Sequence, residues 1–321
     1  MEMVNESVRH VTLNSCKELI DYFLFQDVRW NEFIFRGESS SKYKLLPTVL
    51  RPELSDKLCE YYVNQPILNG TDSDKEVELM RVEYHLLRKF YLEADKNGLY
   101  LPPVPTSRIS KFYDKDPKRF DENELWIPSD LYEVAALAQH HGIPTRLIDW
   151  STDFFVAMYF ACTGAINRYC KNPNKFDYKD QLVIWAMNAE KLTFYKDKIE
   201  LNIITPPYHG NPNLNAQSGV FSLVERKRVT GREDAPTLVD RTPLDELIYI
   251  FNICGPMLLL KIQIPIATCF EMKTLLNKMG YNSARLFPGY DGVVRMINEQ
   301  AMRDKYVRKF YTLVKKSDKE T

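Results

Sequence analysis

The stretch Gln139-His140-His141-Gly142-Ile143-Pro144-Thr145-Arg146-Leu147-Ile148-Asp149-Trp150 concentrates side chains that do chemistry. Two adjacent imidazoles, a guanidinium and a carboxylate lie within ten residues, bounded by Gly and Pro. On a helix, adjacent residues point about 100° apart, so His140 and His141 do not converge on one ion. The i,i+4 histidine pair that a helical metal site needs is absent. The plain alternative is a helix end whose histidine satisfies the last carbonyls. Arg146 and Asp149 stand three apart and suit a mutual ion pair. In a functional reading, Arg146 binds an anion and Asp149 orients a base or a hydroxyl.

Arg36 is the second candidate. It ends the apolar run Phe33-Ile34-Phe35 and is followed by Gly37. A charge at the end of a buried strand must be paired or must face a ligand. Its planar fork suits phosphate or carboxylate, and Gly37 lets another group come close to the backbone. The structural alternative is a salt bridge, to Glu38 or Glu83. Gln217-Ser218-Gly219 leads a later strand and offers an amide, a hydroxyl and a backbone N–H. No GxSxG, no Walker loop and no GxGxxG after a strand is present.

Composition narrows the function classes. The 321 residues carry 43 basic and 43 acidic side chains, so no global charge recruits nucleic acid or an anionic membrane. Phe154 to Cys162 is nine apolar residues, whereas a bilayer span needs about 20. The N-terminus lacks the apolar core of a secretory signal. Six dispersed cysteines without a CxxC read as reduced thiols in a cytoplasmic protein. From Arg303 onward, seven Lys/Arg face three acids, which reads as a solvated helix face; nucleic acid would bind only through this basic tail.

These residues need elements to position them. The apolar spacing predicts helices over Asn14–Gln26 (Asn14 as cap), Ser73–Asp95, from Ser129 or Asp130 to His141, over Asp153–Tyr169 (Ser151 or Thr152 as cap), over Ile266–Met279, and from Gly292 onward. Ala157, Ala161 and Ala165, at i+4 spacing, let a neighbour approach the fourth of these helices. Strands are expected at 33–37, 181–187, 219–224 and 257–264. Leu101 to Pro128 reads as a long exposed insertion or lid, and Thr205 to Ser218 as a Pro/Asn-rich loop. The fold class is α+β, with a mixed central sheet and flanking helices.

Taken in order, FIFRG (33–37), LLPTVLR (45–51), Glu83 with Leu86, Leu87 and Phe90, QHHGIPTRLIDWSTDFFVAMYFA (139–161), AQSGVF (216–221) and LFPGYDGVVRMI (286–297) resemble the FRG-domain family, named for its Phe-Arg-Gly motif. The resemblance implies three parts: an N-terminal helical segment 1–29, an FRG domain 30–297 with an insertion at 99–128, and a basic C-terminal helix or tail 298–321. Asn213-Leu214 stands where the family pattern leads one to expect a basic residue. The strand-end arginine is in turn similar to that of the ADP-ribosyltransferase superfamily. That likeness implies NAD as ligand, with Arg36, Gly37, His140, Arg146, Gln217 and Ser218 binding it and the catalytic acid among Asp149, Glu225 and Asp291. It implies ADP-ribosyl transfer to a macromolecular acceptor, or NAD hydrolysis, in a bacterial or phage conflict system. The alternatives are a non-catalytic binding or sensor module and, less favoured, a metal-dependent phosphodiesterase using His140, Asp149 and His209.

Overall fold

The computed structural model describes residues 8–51, 54, 58, 72–113, 126–195, 201–209, 211–224, 241–250, 253 and 257–317. In chain order the described elements are β1 (Val8–Thr12), α1 (Cys16–Phe25), β2 (Phe33–Glu38), α2 (Asp72–Lys96), α3 (Thr106–Tyr113), α4 (Tyr132–His140), β3 (Ile148–Ser151), α5 (Phe154–Lys171), β4 (Gln181–Asn188), α6 (Ala189–Thr193), β5 (Leu201–Ile204), α7 (Pro212–Ala216), β6 (Gly219–Val224), α8 (Leu244–Ile250), β7 (Leu259–Pro265), α9 (Cys269–Lys278), α10 (Ser283–Leu286) and α11 (Tyr290–Ser317). The strands form one sheet in the order β1-β7-β4-β2-β3-β6-β5. β1 runs parallel to β7, and the other neighbours are antiparallel. The α+β class with a mixed sheet is therefore observed.

Alternation along β2 assigns the two faces. Phe33 and Phe35 enter the core shared with α5, α9 and α11, where Tyr169, Phe270 and Phe310 are fully buried. Ile34 points the other way, into a core with Trp150 and Trp185. A third core joins α2 and α4 to Phe221 and Leu223 of β6.

Helix α5 lies on β2 at backbone distance. A Cβ built on Gly37 would stand 1.8 Å from the carbonyl oxygen of Ala157. The small stripe of α5 thus meets the strand that carries Arg36, which runs on to Glu38, and Gly37 is the residue that permits it. The space that the sequence reading reserved for a ligand at Gly37 holds the helix instead.

Several element ends differ from expectation. The cap of α1 is Ser15, whose hydroxyl accepts from Glu18 N, while Glu18 accepts from Asn14 N. These two reciprocal bonds satisfy donors at the helix start. Asp153, not Ser151 or Thr152, caps α5 by accepting from Phe155 N at 2.8 Å; Ser151 in turn accepts from Asp153 N. The 101–128 stretch contributes to the core where described: Phe112, Trp126 and Ile127 are buried, and Arg108 is clasped by Asp130. The 205–218 loop contains the one-turn helix α7. No helix among the described residues is long and apolar enough to cross a membrane.

Candidate functional site

β2 and β3 share one register pair, Phe35 opposite Ser151, and beyond it the strands part. Arg36 fills the opening. Its Nε donates to Oε1 of Glu38 at 2.8 Å, and Nη2 is ion-paired with the same oxygen at 2.8 Å. Its Nη1 donates to the Asp149 carbonyl and pairs with Asp149 Oδ2, both at 2.9 Å. The Arg36 side chain is 14% exposed, whereas that of Asp149 is 65% exposed. Burial alone would lower the pKa of the guanidinium. The charges of Asp149 and Glu38, and their hydrogen bonds, outweigh it and hold the pKa above its ordinary value. Of the two salt-bridge partners expected for Arg36, Glu38 is used and Glu83 is not.

Glu83, on α2, belongs to Arg146. Arg146 Nε donates to Glu83 Oε1 at 2.7 Å, and Trp126 Nε1 donates to Glu83 Oε2 at 2.9 Å. Both members of this ion pair are almost fully buried. The expected Arg146–Asp149 pair is therefore replaced by two separate ones, each reaching far along the chain. The reason lies in β3, whose register with β6 sets Asp149 opposite Phe221 while Arg146 precedes the strand.

The loop between α4 and β3 is closed by its own side chains. The Thr145 hydroxyl donates to Gln139 Oε1 and accepts from Leu147 N. Gln139 Nε2 reaches Asp149 Oδ1 at 3.4 Å. Gln139 is thus part of the Asp149 surroundings, a role that sequence reasoning did not assign, although the residue opens the motif.

His140 ends α4, and its Nε2 lies 2.7 Å from Asn213 Nδ2 on α7. Burial lowers its pKa, and neighbouring His141 adds to the effect. With the amide nitrogen as donor, the imidazole is the neutral acceptor that this shift favours. Asn213, at the position expected to be basic, therefore serves His140. The ring of His141 packs edge-on against that of His140, at 5.1 Å between centroids, and stacks near Phe90, at 6.4 Å.

The remaining candidates lie elsewhere. Gln217 Nε2 donates to the Leu286 carbonyl, and its own carbonyl accepts from the Ser151 hydroxyl. Ser218 takes a left-handed backbone, φ 47°, and its carbonyl accepts from Thr152 N. These two residues stitch β6 to the end of β3 and to α10. Asp291 sits exposed in the first turn of α11. Glu225 lies outside the described residues. His209 packs its ring against Tyr100. Among the described residues, no group of three or more His, Cys, Asp or Glu side chains is arranged to hold a metal ion.

The structure therefore joins Arg36, Glu38, Asp149 and Gln139 in one polar cluster at the β2–β3 opening. It joins Arg146 to Glu83 in a second, buried one. No curated protein and no solved structure matches the chain. The family model of the FRG domain matches residues 31–169, a span that holds the Phe-Arg-Gly strand, the Gln139–Trp150 block and helix α5. Over those residues the chain is similar to the FRG domain.

Proposed function

We propose that this FRG-like domain works as a binding or sensor module whose arginines are structural and whose ligand-facing group is Asp149. One observation carries the reading: Arg36 and Arg146 are each held by a buried carboxylate, while Asp149 keeps most of its surface in water. A carboxylate anchored by a guanidinium on one side offers lone pairs on the other to a ligand rich in hydroxyl or amino donors. The paired hydroxyls of a nucleotide ribose fit that description.

A second reading is NAD-dependent ADP-ribosyl transfer or NAD hydrolysis, with the role in a bacterial or phage conflict system that goes with it. Its support is again Asp149, an exposed acid beside a strand-end arginine. The pyrophosphate cradle of that reading does not fit the residues named for it. Arg36 and Arg146 are matched by carboxylates, Gly37 is covered by α5, and the Gln217 amide is bonded to Leu286. Both readings take the protein to be cytoplasmic.

Titration with NAD and with ADP-ribose, followed by calorimetry and by nicotinamide release, separates them. The module reading expects binding without release, weakened about tenfold or more by Asp149→Asn, as for loss of a hydrogen bond to a charged group. Nicotinamide release that disappears in Asp149→Asn establishes the second reading instead. Absence of both binding and release overturns nucleotide recognition at Asp149.

A further inference from the structure

Helix α11 has two unlike faces. Phe310 is fully buried, and Tyr306, Val307, Leu313 and Val314 pack beside it against the core. The opposite face is apolar over its first three turns. Tyr290 is 91% exposed, Val294 and Ile297 are each 55% exposed, Val293 is 42% exposed, and Ala301 is also exposed. At 100° per residue, Tyr290, Val294, Ile297 and Ala301 fall within an arc of about 60°. Farther along, the same face turns charged with Asp304, Lys305 and Arg308, all exposed.

This apolar stripe is firmly placed. A Cβ on Gly292 would meet the Phe287 carbonyl oxygen at 1.8 Å, so the first turn of α11 is seated directly on the end of α10. Arg295 lies over the Phe287 ring at 4.2 Å. A contiguous apolar stripe held rigidly in water marks an interaction surface.

We infer that α11 pairs antiparallel with α11 of a second copy of this chain, with the two-fold axis near Ile297 and Asn298. The pattern is self-complementary about that point. Asp291 lies seven residues before Asn298 and Lys305 seven after, and both flank the stripe on the same side. A two-fold axis perpendicular to the helix keeps flanking residues on their side, so Asp291 of each copy meets Lys305 of the other. Among the described residues neither side chain is ion-paired within its own chain. About that axis, Val294 of one copy lies within one residue's rise, about 1.5 Å, of Ala301 of the other, and the two Ile297 side chains come close to the crossing. Small Ala301 permits the close approach. Because the chain's charges sum to zero, the two copies do not repel each other as a whole.

Sedimentation equilibrium on the full chain tests the inference. The wild type is expected to dimerise. Ile297→Asp, at an exposed position, is expected to be folded by circular dichroism and to weaken the dimer by at least about tenfold. Asp291→Lys weakens it as well, and adding Lys305→Asp to Asp291→Lys restores it. A monomeric wild type overturns the proposal, as does a dimer that neither single variant weakens or a charge swap that restores nothing.

Discussion

One nitrogen of Arg36 holds Asp149 twice: Nη1 is 2.9 Å from both the carbonyl and the carboxylate of that residue. The antiparallel register of β2 and β3, continued past Phe35 and Ser151, would set Gly37 opposite Asp149. Instead the guanidinium supplies the donor that the ladder no longer does. The arginine of the Phe-Arg-Gly motif is thus a side-chain rung between two strands 113 residues apart in sequence.

Arg36→Ala is therefore expected to act on stability. It leaves Glu38 buried without its partner, and breaking a buried pair costs about 3–5 kcal/mol. Because Asp149 is largely in water, its share is small, and the loss falls near about 3 kcal/mol. Arg36→Lys keeps the charge but not the fork, and is expected to recover only part of this. Urea denaturation measures both. An Arg36→Ala midpoint equal to that of the wild type contradicts the rung.

Glu83 and Asp149, which hold Arg146 and Arg36, differ in burial, and this fixes a ranking. Glu83 is 2% exposed and serves both Arg146 and Trp126. Glu83→Gln removes the charge that Glu83 sets against a buried guanidinium, at about 3–5 kcal/mol. Asp149→Asn removes an exposed partner and is expected to cost about 1 kcal/mol or less. Denaturation of the two variants in the same buffer gives the order directly; a reversed order means that the pairs have the wrong roles here.

How much of this was legible in the sequence depends on the range of the interaction. Local periodicity located α2, α5, β4 and β6, because each presents a long or strictly patterned apolar face. It passed over β1, β3 and β5, which are four or five residues long and carry polar residues between their apolar ones. Arg36, Arg146 and Asp149 stood out because charges beside apolar runs are costly. Their partners did not, since pairing Arg36 with Asp149 and Arg146 with Glu83 is decided by sheet order, which no short window contains. Gln139 was passed over because an amide at a helix end has many bland explanations.

The close approach of α5 to β2 makes Gly37 intolerant of any side chain. A Cβ there meets backbone, the Ala157 carbonyl, and not the movable end of a side chain. Overpacking in cores typically costs about 1–3 kcal/mol, and an obstacle in the backbone puts Gly37→Ala at or above the top of that range. Gly98, with nothing within 4 Å of its built Cβ but φ at +65°, is the control. Gly98→Ala is expected to cost only about 1 kcal/mol, from backbone strain. Thermal melts of the two variants should differ by many degrees; equal melts would mean that α5 can lift from the strand.

Alkaline pH should find the buried thiols. Burial raises the pKa of Cys162 to about 12, with nearby Lys273 opposing part of the shift, and burial together with Glu271 raises that of Cys16 to about 11. In the unfolded chain these thiols ionise near the ordinary value of 9.0. The folded state therefore holds protons that the unfolded state has released, so stability falls as pH rises above about 9 and continues to fall until the folded thiols ionise in turn. Each such thiol contributes a slope of about 1.4 kcal/mol per pH unit within that window. Cys162→Ala shifts stability by a constant amount at neutral pH, from the lost packing, and removes one proton's worth of slope between pH 9 and 11. Urea midpoints of wild type and variant across that range are expected to converge as pH rises. Parallel profiles would show that the Cys162 thiolate is accommodated in the folded core.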